Sequence, residues 1–193
     1  MRRVLTVLLL LALTVSCSRV AASKERYEKD GLSLSHTPEW RVRSDRETAA
    51  TRVLILEGPH GALLSLTRFP ASHPATLAQY AASVEEKREA ATGRLSDTAV
   101  HAEGAQTGSV RATIVGRERE GLTKTFDIST PSDSTHFSAE FYEIEAGDFR
   151  WMLMRQEPAA YHAELNSGIQ LVYDSLSLPS APAPKAAAGA ENK

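Results

Sequence analysis

Between Leu32 and Leu178 the apolar residues change their period several times, and that alternation decides which fold class the chain can enter. A period of two places side chains on the two faces of a strand, and a period near 3.6 draws a stripe along a helix. Leu32 and Leu34 alternate, Pro38 interrupts, and Trp40 and Val42 resume the strand pattern. Val53, Leu54, Ile55 and Leu56 run consecutively, too short for a helix and suited to a strand covered on both faces. Gly58, Pro59, His60 and Gly61 supply a turn, and Leu64, Leu66 and Phe69 continue on the returning strand. Thr76 and Gln79 then form a capping box ahead of a helical stripe of Leu77, Tyr80, Ala81, Val84 and Ala91, which Gly93 ends. Asp97 to Ser109 reads as a loop or weak strand. Three stronger strands follow, Val110 to Arg117, Leu122 to Ser129 and His136 to Glu145, turning at Glu120-Gly121 and around Pro131-Ser132-Asp133. From Phe149 to Gln156, Phe149, Trp151 and Leu153 face one way and Met152 and Met154 the other. Pro158 opens a last helix with the stripe Tyr161, Leu165, Ile169, Val172 and Leu176, and Gly168 marks a bend or a close crossing in it.

The chain has one cysteine, Cys17. Ahead of it stand a basic head, Arg2 and Arg3, an apolar run from Val4 to Leu13 broken only by Thr6, and the small residue Ser16. The run is too short to span a bilayer but has the length of a secretory signal. Thr14, Val15, Ser16 and Cys17 resemble a lipobox, with Thr14 where Leu is usual. Residues 1–16 are therefore expected to be a lipoprotein signal peptide and Cys17 the lipidated mature terminus, held by membrane lipid through its acyl chains. Ser18 after the cysteine points to the outer membrane. Residues 17–26 read as a tether, 27–178 as one domain, and 179–193, rich in Ala and Pro with Pro179, Pro182 and Pro184, as a disordered tail. A single thiol excludes a disulfide framework, a zinc ribbon and a CxxC redox pair, so an apolar core must hold the domain.

Cleavage removes two arginines and no acid, leaving 20 basic and 24 acidic residues and a net charge of −4. That balance argues against a nucleic-acid partner. His36, His60, His73, His101, His136 and His162 share no metal-ligand spacing, and no nucleophile elbow, phosphate loop or dinucleotide fingerprint occurs. No catalytic residue and no cofactor is expected. Glu143, Glu145 and Asp148 are the weaker exception: they read first as a solvated strand end and second as oxygen ligands for a hard cation. Trp40 reads as a core plug, and Met152 and Met154 as core.

Gly31-Leu32-Ser33-Leu34-Ser35 followed by Pro38-Glu39-Trp40-Arg41-Val42, the Leu63 to Phe69 strand before Thr76, Leu77 and Tyr80, and the closing Asp174-Ser175-Leu176 resemble the Mog1/PsbP-like superfamily, including DcrB and DUF1795-type bacterial lipoproteins. The resemblance covers roughly residues 27–178. It implies an α+β fold, an antiparallel sheet sandwiched between helices, used as a non-catalytic binding or assembly domain, and it carries over no functional residue. The expected function is that of a periplasm-facing envelope lipoprotein with a protein partner. A small-ligand carrier or a metal-dependent enzyme on the same scaffold is the alternative.

Overall fold

The computed structural model describes residues 23–94, 101–129 and 133–180. Cys17, the expected signal peptide before it, and residues 181–193 lie outside the described residues. Strands β1 (Glu25–Lys29), β2 (Leu32–His36), β3 (Arg41–Glu47), β4 (Arg52–Glu57) and β5 (Leu63–Pro70) precede helix α1 (Leu77–Arg94). Strands β6 (His101–Ile114), β7 (Arg117–Ser129), β8 (Ser134–Ala146) and β9 (Phe149–Pro158) lead to helix α2 (His162–Ser175). The fold is α+β. Strands β3 to β9 form one sheet in the order β3-β4-β5-β9-β8-β7-β6, while β1 and β2 pair separately. Neighbours in the large sheet run antiparallel throughout.

Strand β9 lies in the middle of the sheet and shows how it is packed. Trp151 and Leu153 join a cluster with Leu165, Ile169 and Val172 of α2 and with Leu32 and Leu34 of β2. Met152 and Met154 join another with Tyr80 and Ala81 of α1. The expected alternation of these residues therefore holds. The capping box forms as well: Thr76 N–H donates to Gln79 Oε1 at 2.8 Å, and Gln79 N–H donates to Thr76 Oγ1 at 3.2 Å. Trp40 is buried and presses on two glycines. A Cβ on Gly58 would stand 2.7 Å from its ring, and one on Gly168 would stand 2.8 Å from its Nε1. The close crossing expected at Gly168 is this contact.

Several expectations are corrected. Glu25 and Arg26, placed in the tether, belong to β1, whose register sets Tyr27 against Leu34. His101 to Ser109, left open between a loop and a weak strand, are strand: they belong to β6, which pairs with β7 at the edge of the sheet. An edge strand can be this polar because water satisfies its free side. The β6–β7 turn lies at Val115-Gly116, where both residues have positive φ, 52° and 65°, and not at Glu120-Gly121. Two successive left-handed residues match the twist of a tight hairpin. Gly121 serves packing inside β7: a Cβ there would stand 2.4 Å from the Phe141 carbonyl oxygen. Pro158 ends β9, and a 3-10 turn over Ala159–Tyr161 precedes α2. At the C-terminal side the Asp148 N–H donates to the Ser180 carbonyl at 3.1 Å, so backbone contacts run two residues past Leu178.

Candidate functional site

The consecutive apolar run of β4 was expected to be covered on both faces, and it is not. Leu54 and Leu56 are fully buried on the side of β2 and α2, whereas Val53 and Ile55 on the other side are only half-buried. The cause is where α1 is pinned. Arg88 places its guanidinium 3.5 Å from the centre of the Phe126 ring in β7, and Lys124 of β7 forms an ion pair with Glu85. Tyr80 fixes the start of the helix by a 3.0 Å hydrogen bond between its hydroxyl and that of Thr67 in β5. These contacts draw α1 toward β7 and leave its other side, over β4 and β5, open.

The result is a groove of about 400 Å³. Val53, Ile55, Leu63 and Phe69 form its apolar floor, and Tyr80 and Val84 of α1 form one wall. Its polar groups are hydroxyls and one ammonium: Ser65, Thr67 and Ser83 within, Thr51 and Lys87 at the rim. Ser83 Oγ is engaged with the Tyr80 carbonyl at 2.8 Å, and Thr67 with Tyr80, so the interior is more apolar than its residue types imply. Through Thr51, Val53 and Ile55 the groove continues into a second cleft of about 480 Å³ that reaches Arg43 and Arg46 on the edge strand β3. Apolar surface with a few placed polar groups, at volumes of ~300–1,000 Å³, is the ordinary character of a ligand site.

The groove's described lining holds no carboxylate and no imidazole. Acids and bases with displaced protonation lie elsewhere. Burial raises the Asp45 carboxyl, but hydrogen bonds from Arg52, Tyr27 and Lys29 outweigh it and hold the group well below the usual carboxylate range. Arg52 is fully buried and donates to Asp45 from Nε at 3.0 Å and from Nη2 at 2.9 Å. On β9 the buried Arg155 donates to both oxygens of Glu157, at 3.0 and 2.6 Å, and His162 Nδ1 lies 2.7 Å from the same carboxylate. Burial, and then the neighbouring Glu140 carboxylate, push the Tyr142 phenol up. These groups are spent on one another and hold elements together.

The residues singled out in the sequence are dispersed. Glu143 accepts from Arg150 Nε at 2.7 Å, and Glu145 lines a separate cleft beside Arg117 and Arg119. Among the described residues no three His, Cys, Asp or Glu side chains gather as a metal site. His60 stacks on Tyr161 with ring centres 3.7 Å apart and lies 3.0 Å from Glu164, His73 stacks on Phe69, and His136 lies 2.8 Å from Asp127. His36 Nδ1 meets the Thr37 carbonyl at 2.9 Å, and His101 is on β6. The groove residues were missed. A signal for them existed in β5, where Leu64 and Leu66 alternate with Ser65 and Thr67 and so mark one face as more polar than the other.

No protein-family model matches the chain, and no curated protein sequence matches it. Among solved structures, cyanobacterial PsbP from Synechocystis sp. PCC 6803 is similar with 17% identity and a TM-score of 0.46, covering 86% of this chain and 98% of that one. LpqN, involved in cell envelope biogenesis of Mycobacterium tuberculosis, is similar with 11% identity and a TM-score of 0.39, covering 81% of this chain and 91% of that one.

Proposed function

We propose that this protein is a non-catalytic binding module of the bacterial envelope, lipid-anchored through Cys17 and facing the periplasm, with its sheet layered between α1 and α2 and its partner held on the open face of β4 and β5. The observation that carries this reading is the half-covered groove: apolar side chains of Val53, Ile55 and Leu63 meet solvent beside α1, where burial against a partner yields about 25 cal/mol per Å². The groove's lining offers hydroxyls and an ammonium, so it supports holding a partner better than transforming one. The anchor is supported by the basic head, apolar run and unique thiol of the first 17 residues.

A small-ligand carrier is the second reading, favoured by the size and apolar character of the same groove. Photo-crosslinking in living cells tests the binding surface. A benzophenone amino acid at Ile55 should give discrete adducts that one at Gln170, on α2, does not. Equal adducts from both positions, or none from Ile55, would defeat the reading. Fatty-acid labelling tests the anchor, and a Cys17→Ser chain that is labelled and membrane-held like the wild type would remove it.

A further inference from the structure

The groove has a charged end as well as an apolar floor. Where it opens onto β3 it meets Arg43 and Arg46, and Lys87 stands on the α1 side. Arg46 and Lys87 form no ion pair among the described residues, and Arg43 has only a 3.9 Å approach to Glu57. The nearby acids are already engaged: Glu57 accepts from Arg41 at 2.9 Å and Glu47 from Arg68 at 2.8 Å. An otherwise net-acidic chain thus keeps three cations at the rim of its apolar groove.

We infer that the groove takes a single-chain amphiphile with an acidic head group, its alkyl chain along Val53, Ile55 and Leu63 and its head at Arg43 and Arg46. This rests on the groove being the binding surface. A cationic rim around an apolar floor selects a molecule with charge at one end, because the alkyl part gains by leaving water and an acidic head gains charge-assisted hydrogen bonds from guanidinium groups. Polar lining groups that satisfy one another, as Thr67 and Tyr80 do, ask nothing of an alkyl chain.

Displacement of a dansylated undecanoic acid from the unlipidated Cys17→Ser chain provides the test. Dodecanoate should displace the probe. Its methyl ester should be about tenfold weaker, the loss of a charge-assisted contact, and octanoate, four methylenes shorter, up to about 250-fold weaker, since each fully buried methylene is worth about fourfold. The combined Arg43→Glu and Arg46→Glu variant should lose the preference for dodecanoate over its ester. Ile55→Asp should abolish probe binding with its unfolding midpoint in the folded range. If Ile55→Asp does not fold, Thr51→Trp, which fills the half-exposed mouth, takes its place. Absence of displaceable binding, equal competition by dodecyltrimethylammonium, or unchanged binding in the filled groove would overturn the inference. So would sedimentation with phosphatidylglycerol vesicles without displacement by monomeric dodecanoate. Failure of these arms alongside Ile55-specific adducts to a protein would leave the groove as the binding surface and remove the amphiphile alone.

Discussion

Arg52 is a fully buried cation, and Asp45 makes it tolerable by accepting from Nε and Nη2 while the Tyr27 hydroxyl and the Lys29 carbonyl also approach Nη2. Removing one partner of such a pair strands the other charge, which costs about 3–5 kcal/mol. Asp45→Ala is therefore expected to lower the unfolding free energy by that order in urea titrations at neutral pH. The pH dependence has a definite sign. Asp45 has a depressed folded pKa, so its stabilisation is present above the unfolded value of about 4 and drains as pH falls through the folded value. Asp45→Asn should flatten the acid limb of stability against pH, and an unaltered limb would show that Asp45 does not carry it. None of this was legible in the sequence, where Arg52 only opened an apolar run. The pair becomes visible once β3 and β4 are in register and β1 is laid across them. Gly168 was legible, because a glycine inside an apolar helical stripe has few reasons to be there. Gly168→Ala should cost about 1–3 kcal/mol by forcing Trp40 aside, despite alanine's better helix propensity. Thermal unfolding of Gly168→Ala beside the Trp40→Phe, Gly168→Ala double variant checks this, since the smaller ring should recover part of the loss.

The capped start of α1 shows what local sequence decides well. Thr76 and Gln79 satisfy each other's N–H groups within four residues, so their roles needed no tertiary information. Thr76→Ala should cost about 0.5–2 kcal/mol and speed amide exchange in the first turn of α1, which also carries the Tyr80 wall of the groove. Turn placement between β6 and β7 was harder. Glu120-Gly121 and Val115-Gly116 both offer a glycine, and the choice depends on Tyr142 and Phe141 of β8 lying where a Cβ at position 121 would be. Val115 pays for that choice with a branched side chain at a φ of 52°. Val115→Asn, which suits left-handed backbone, should raise stability by about 1 kcal/mol, and a lowered unfolding temperature would contradict this account of the turn. The β6 strand was obscured for a related reason: an exposed edge needs no alternation of apolar residues, so its sequence resembles a loop.

At the scale of the molecule, the order of most elements followed from hydrophobic period and the class from the resemblance it led to, while the candidate site followed from neither. A groove is a place where two elements fail to meet, and period alone does not say how far a helix leans. Here α1 is held toward β7 by Arg88 on Phe126 and by Lys124 on Glu85, which leaves Val53 and Ile55 uncovered. The same lean predicts that these anchors shape the groove from a distance. Arg88→Ala should destabilise the fold by about 1–2 kcal/mol through the lost ring contact and should also alter probe binding, although Arg88 does not line the groove. The central claim, that the open face of β4 and β5 is where this protein holds its partner, is tested most directly by methyl NMR of the full chain with solubilised membrane extract. Val53, Ile55, Leu63 and Val84 are predicted to shift while Ile169 and Val172 of the buried cluster stay still. Shifts at residues on the exposed side of α2 or along β6, with the groove methyls unmoved, would contradict it.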